Sequence, residues 1–439
     1  MRRVAFLIAV SVLLGGFSVL AGGRARFVDV IVVLDAQYAP GGHANNRAAA
    51  AETAKSLGLQ PRFAYGTALF GFAASVPEGR LNALRFDRRV AYIEVDRAVS
   101  LPRPVVAAPK FCKDNPDHPA CADSSEDPPP SGQVVPWGVS RIGADTNASE
   151  GTGVHVYVID TGIDSDHPDL AVGNGAAFTT CKGRCAQPWD DDNGHGTHVA
   201  GTIGALDNSI GVLGVASEVT LHAVKVLSKS GSGSLSGVIA GVDWAAAETA
   251  ARGVPSVANM SLGGSGSKTG SCTGSGFIGS DSFHAAVCNA ARAGVVFAVA
   301  SGNAGADAQN SVPAAYDDAV ITVSATNDAD NWPSWSNYGD NTAGWTANVS
   351  APVAIAAPGV NILSTWKVGD PTTISGTSMA TPHVAGACAL FLVSSPQQAD
   401  FSAFTNTRAA LLSSSESTTG FSNTSGRPHA EDFLRAGRL

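Results

Sequence analysis

Apolar residues in this chain fall into short continuous runs, and from Trp137 onward these runs alternate with longer stretches in which apolar and polar residues recur at helical spacing. The strand-like runs are residues 154–159, 219–226, 256–260, 294–300 and 319–323, and the helix-like ones are 198–205, 235–251, 282–293 and 377–393. Strands that are apolar on both sides, each followed by an amphipathic helix, predict an α/β fold. Its core is a doubly wound parallel sheet with helices on both faces. In such sheets the chemistry collects beyond the carboxyl ends of the strands. The stretch after Ser394 is polar and rich in Ser and Thr, and ends in a helix-like segment at 430–436.

An earlier unit has a pattern of its own. An apolar strand at 27–34, an Ala-rich helix at 45–57, the extended run Gly71-Phe72-Ala73-Ala74, a second helix at 78–86 and a strand at 90–95 predict a small α+β domain. Residues 102–133 change character: Pro, Ser, Asp and Glu dominate, with three successive prolines at Pro128–Pro130, which reads as a linker. The expected division is 1–25 leader, 26–100 small domain, 101–135 linker and 136–439 large domain.

The leader follows from Arg2 and Arg3 ahead of an apolar run and small residues, the pattern of a secretory signal peptide. A membrane anchor is the rival reading, but Gly15, Gly16, Gly22 and Gly23 break the run and nothing later resembles a second span. Export makes the cysteine count informative, because seven thiols in an oxidising compartment leave at least one unpaired. Close spacing favours Cys112 with Cys121 and Cys181 with Cys185; Cys272 and Cys288 can close a third loop, and Cys388 lies in an apolar helical run as a core residue. No Cys or His spacing matches a structural zinc module. With 15% charged residues, a net charge of −9 and scattered Lys and Arg, no basic patch points to nucleic acid.

Four segments carry chemistry. Asp160 ends the apolar run Val154-His155-Val156-Tyr157-Val158-Ile159, where a carboxylate can be held dry to orient an imidazole. His195 follows the acidic loop Asp190-Asp191-Asp192-Asn193-Gly194 and opens a helix of small residues that also holds His198; either histidine could equally be a core or capping residue. Ser378, in Gly376-Thr377-Ser378-Met379-Ala380-Thr381-Pro382-His383, sits at a helix start where free N–H groups favour developing negative charge. Asn303, after the strand run ending Ala300-Ser301-Gly302, supplies an amide suited to an oxyanion.

Together these motifs resemble the subtilisin-like serine protease family over nearly the whole chain, and within it the proteinase K-like group. The order Asp, His, Ser is the subtilisin order; an α/β-hydrolase esterase would show Gly-x-Ser-x-Gly and the order Ser, acid, His. The resemblance implies Asp160 as orienting acid, His195 as general base, Ser378 as nucleophile, and Asn303 with the Ser378 N–H as oxyanion donors. It also implies that Gly231-Ser232-Gly233 and Ser261-Leu262-Gly263-Gly264, with Ala300-Ser301-Gly302, bind an extended polypeptide by β-augmentation. Residues 26–100 resemble the family's inhibitory propeptide. The implied protein is a secreted, monomeric endopeptidase of broad, apolar-tolerant specificity, autoprocessed from a precursor, with polypeptides and its own propeptide as partners and no stable membrane association. No cofactor is implied for the chemistry. Ala354 replaces an Asp calcium ligand of the group ahead of Ile355-Ala356-Ala357-Pro358-Gly359, so a structural calcium would need another site, such as Asp190–Asp192 or Asp328 with Asp330. A catalytically dead binding protein and an acyl-transferring esterase on the same scaffold are the alternatives.

Overall fold

The structure, a computed structural model, describes residues 26–102, 132–339, 352–367, 369–423, 426 and 429–439. The first unit runs β1 (Phe27–Leu34), α1 (His43–Ser56), β2 (Pro61–Tyr65), β3 (Gly71–Pro77), α2 (Leu81–Arg85) and β4 (Val90–Val95), and its strands form an antiparallel sheet in the order β2-β3-β1-β4. Alternation along β1 divides its side chains between two cores. Val30, Val32 and Leu34 pack with Ala50 and Ala54 of α1, while Ile31 and Val33 join the core of the larger unit. Strand β2 escapes a reading by hydrophobic pattern because Pro61 and Arg62 open it; it is an edge strand, where a missing ladder donor is tolerated. A further short strand, β5 (Ala98–Ser100), leaves this unit for the larger one.

The larger unit continues with α3 (Trp137–Ile142), β6 (His155–Asp160), β7 (Val172–Ala177), α4 (His195–Gly204), β8 (Thr220–Lys225), β9 (Ser232–Ser234), α5 (Leu235–Arg252) and β10 (Ser256–Met260). It then passes through β11 (Gly264–Ser265), the hairpin β12 (Ser271–Thr273) and β13 (Gly276–Ile278), α6 (Ser282–Arg292), β14 (Val295–Ala300), β15 (Ser311–Val312) and β16 (Ile321–Thr326). After β17 (Ile355–Pro358), the hairpin β18 (Ile362–Ser364) and β19 (Thr372–Ile374) leads into α7 (Thr377–Ser394) and α8 (Phe401–Ser414). Seven parallel strands form the central sheet in the order β17-β16-β14-β10-β6-β8-β7; β6, β8, β10, β14 and β16 lie on the five apolar runs, and the edge strands β7 and β17 were not expected.

The sheet separates two cores. Val156 and Val158 of β6 face α4, α7 and α8, whereas Tyr157 and Ile159 face α5 and α6. The small residues Ala380, Ala385 and Gly386 let α7 pass close to its neighbours: a Cβ on Gly386 would lie 2.5 Å from Val215. The helix expected at 430–436 is not formed. Phe433 is instead extended, bridged to Ala356 and Glu416, and buried beneath the Arg141 guanidinium at 4.3 Å from its ring centre. Helix α8 goes unread for the opposite reason: its exposed face is Ser, Thr and Asn, and only Ala403, Phe404, Thr407 and Leu411 are buried.

The disulfides Cys181–Cys185 and Cys272–Cys288 are formed and Cys388 is a buried free thiol. Cys112 and Cys121 lie outside the described residues, as do the leader and most of the expected linker.

Candidate active site

The carboxyl ends of β6, β10 and β14 and the starts of α4 and α7 meet at one cleft. Asp160, the last residue of β6, is fully buried, and its Oδ1 accepts from the Thr161 N–H at 2.7 Å. The same oxygen lies 2.8 Å from Nδ1 of His195, the first residue of α4. Two glycines permit this approach. Gly194 adopts φ +119 against the Trp366 ring, and a Cβ on Gly196 would collide with the Gly162 carbonyl. Asp191 holds the loop before the helix, accepting from Thr161 Oγ1 and from the N–H groups of Asn193, Gly194 and Thr197, each at 2.9 Å.

The two histidines that the residue pattern alone left equivalent, and of which the resemblance singled out His195, are separated by their partners. His198 Nε2 sits 3.0 Å from the carbonyls of both Ile362 and Thr372, so it carries the proton, and burial drives the pKa of this ring down to about 3. It is a neutral core residue, and the two rings do not converge on a metal.

Ser378 is the second residue of α7, 3% exposed, and its Oγ donates to the Ser261 carbonyl at 3.3 Å. In return Ser261 Oγ donates to the Ser378 carbonyl at 2.9 Å. That carbonyl needs an outside donor because residue 382, four positions on, is a proline within the helix and has no N–H. Asn303 is fixed by its oxygen, which accepts from the Thr377 N–H at 2.9 Å and from its hydroxyl at 2.8 Å, so the nitrogen end is the donor.

His195, Asn303 and Ser378 line one cavity of about 320 Å³ together with Gly231, Ser232 and the unexpected Asn193, Trp366 and Met379. An adjoining cavity of about 480 Å³ is lined by Leu262, Gly263, Gly264, Ala300, Ser301, Gly302 and Asn303. The predicted binding segments therefore converge on the predicted reactive groups, except that Ser261 stands behind Ser378 and Gly233 is covered by Val99.

The cleft already contains chain. Strand β5 pairs antiparallel with β9, Val99 opposite Gly233, and Ser100 exchanges two backbone hydrogen bonds of 3.0 Å with Gly263 on the other side. Leu101 N–H then donates to the Gly231 carbonyl at 2.9 Å, and Leu101 and Pro102 line both cavities.

The model of the Subtilase family of peptidases matches residues 151–432. The chain belongs to the subtilase family. It is 40% identical over 351 residues to alkaline serine exoprotease A of Vibrio alginolyticus, covering 76% of this chain and 54% of that one, so it spans about half the length of that relative. It is 38% identical over 344 residues to subtilisin NAT of Bacillus subtilis subsp. natto (77% of this chain, 74% of the relative) and 45% identical over 268 residues to subtilisin Savinase of Lederbergia lenta (60% and 86%). The solved structure of a cold adapted subtilisin-like serine proteinase superposes with a TM-score of 0.54 at 36% identity, covering 68% of this chain and 97% of that one. The matched segment of this subtilase includes every residue of the cleft outside 98–102.

Neither acidic cluster named from the subtilase sequence suits a cation. Asp190 and Asp191 accept from backbone and hydroxyl donors, Asp192 is paired with Lys225 at 2.6 Å, and both oxygens of Asp330 are engaged by Arg141 at 3.0 Å. Elsewhere the buried Asp169 carboxylate accepts from the Asn208 side-chain amide at 2.8 Å and from the Val212 N–H at 3.0 Å, while the Gln133 amide nitrogen donates to the carbonyls of Leu206 and Val212.

Proposed function

We propose that this subtilase is a secreted serine endopeptidase of broad, apolar-tolerant specificity, made as a precursor whose residues 26–100 act as folding template and inhibitor. Ser378 attacks the peptide carbonyl. His195 takes the serine proton on Nε2 and later returns it to the leaving amine, with Asp160 holding the Nδ1 proton and stabilising the imidazolium. Asn303 and the backbone N–H of Ser378 receive the oxyanion. No cofactor takes part in these steps.

The observation that carries the precursor reading is β5. A strand of the chain's own first unit lies between β9 and Gly263 and runs to the cavity that holds His195 and Ser378, in the position of an extended substrate. The small unit also caps the helices beneath it: Asp96 accepts from the Ser236 N–H at 2.9 Å, near the start of α5, and Glu94 from the Ser282 N–H at 3.0 Å, at the start of α6. Asp243 of α5 accepts in turn from the N–H groups of Gly66, Thr67 and Ala68. These contacts favour a template that organises two helices of a slow-forming parallel sheet.

The test is expression of Ser378→Ala beside the unaltered chain in a host lacking other proteases. The variant is expected to accumulate uncut, while the unaltered chain loses its first unit by a cut beyond Ser100 and degrades casein. Processing of Ser378→Ala at the same site and rate would refute autoprocessing, and ester hydrolysis without casein degradation would refute the endopeptidase reading.

A further inference from the structure

One buried charge at the cleft has no part in the steps above. Lys225 ends β8 with its side chain 0% exposed, and its ammonium donates to three acceptors: the Thr161 carbonyl, Asp192 Oδ1 at 2.6 Å and the Leu227 carbonyl at 3.2 Å. Three protons meet three acceptors, so the group is fully satisfied. Asp192, 4% exposed at its side chain, accepts from the Lys182 N–H through its other oxygen, and its backbone carbonyl accepts from Lys367 Nζ at 2.7 Å.

Each acceptor belongs to a different working part. Thr161 follows Asp160 and donates through its hydroxyl to Asp191. Asp192 lies in the loop that delivers His195. Leu227 begins the segment leading to Gly231 and β9, along which β5 lies. Burying an ion pair here costs desolvation that an apolar side chain would avoid, so packing alone does not account for it. An ammonium, by contrast, fixes three backbone segments from one point.

We propose that Lys225 and Asp192 form a positioning pair that holds the acid, the loop bearing the base and the substrate edge in a single register. This inference rests on the roles given above to Asp160, His195 and Ser378. Neither member touches substrate. The pair is also electrically neutral as a unit, which gives it a signature that packing lacks. The other charged or titratable groups around His195 are Asp160 on its Nδ1, Asp190 and Asp191 in its loop, His198 one turn on and Lys367 at the Asp192 carbonyl. None of these changes when the pair is altered.

The experiment compares Lys225→Met, Asp192→Asn and the double variant of the full chain, each followed by the pH profile of kcat/KM on a peptide substrate, thermal melting, and labelling of Ser378 by a serine-reactive fluorophosphonate. Lys225→Met leaves a lone negative charge near His195 and should raise the acidic midpoint by about half to one pH unit; Asp192→Asn leaves a lone positive charge and should lower it by a similar amount. The double variant should return the midpoint to its original value while kcat stays roughly tenfold or more below the original, because the register is lost. A purely structural role would lower the melting temperature without these opposed shifts, and midpoints that stay put or move in the same direction overturn the inference. If a single variant does not fold, the neutral double decides: an undiminished kcat overturns the inference and a reduced kcat with an unmoved midpoint sustains it. Loss of Ser378 labelling in the unaltered chain would instead overturn the catalytic reading on which this one stands.

Discussion

At the scale of single residues, the site works by committing one end of a polar group so that the other end faces the cleft. Asn303 is the plainest case: its oxygen is claimed by Thr377 N–H and Oγ1, so its nitrogen is the donor that, on the mechanism proposed above, meets the carbonyl Ser378 attacks. Asn303→Leu should fold and bind substrate but lose turnover by about 10² to 10³, a magnitude set by the subtilisin precedent for removing such a donor. Steady-state kinetics with kcat and KM separated check this, and an unchanged kcat would remove Asn303 from the oxyanion site. Asp160, His195, Ser378 and Asn303 each stand in the sequence at the junction of an apolar run and a helix or turn, a place that suits a turn or cap as well as a reactive group, and their expected roles came from the resemblance of the motifs. The residue pattern alone did not divide the labour between His195 and His198; only the resemblance chose His195. Both sit in one helical turn, and only the carbonyls of Ile362 and Thr372, remote in sequence, make His198 a neutral structural ring.

At the scale of elements, α7 poses a problem that a neighbouring strand end solves. Pro382 removes the helix bond that would engage the carbonyl of Ser378, and Ser261, just past β10, supplies a hydroxyl instead. Ser261→Ala should therefore leave a buried acceptor without a donor and cost about 1–3 kcal/mol of stability. Combining it with Pro382→Ala restores a helical N–H at that position, so the two changes together should cost less than their sum in thermal melts of a Ser378→Ala background. Additive losses would show that the Ser261 bond does not compensate for the proline. The apolar runs located β6, β8, β10 and β14 to within a residue and β16 to within three, since burial on both faces leaves little ambiguity of pattern. They missed the edge strands β7 and β17 of that sheet, and also β2, β5 and β9, which are short and held by pairing with other segments. They also placed a helix at 430–436, where Phe433 is extended instead.

At the scale of the whole molecule, buried imidazoles set the response to acid. Burial holds His198 at about 3 and both His222 and His383 at about 4, against roughly 6.5 in an unfolded chain. Each ring is neutral in the fold, so below pH 6.5 the unfolded chain binds protons that the native one does not. Their contribution is complete above that pH and is lost as pH falls toward 4, at up to about 1.4 kcal/mol per unit for each histidine. Urea midpoints of Ser378→Ala, in which self-digestion is absent on the proposed reading, should fall steadily between pH 6.5 and 4.5; a flat profile would mean the rings are protonated in place.

The pairing of β5 also bears on what the molecule does with an unfilled place in a sheet. When β5 is withdrawn, β9 and the backbone at Gly263 each present bare N–H and C=O groups, the kind of surface on which chains stack into aggregates. Here the exposed rim is only Ser232–Ser234 long on one side, is preceded by Gly231 at φ +71, and faces a second rim across a gap one strand wide. A lone extended segment can be gripped from both sides at once, but another folded copy cannot bring its own sheet edge into so narrow a slot. The geometry that admits a single unfolded strand is thus also a guard against the protein polymerising with itself.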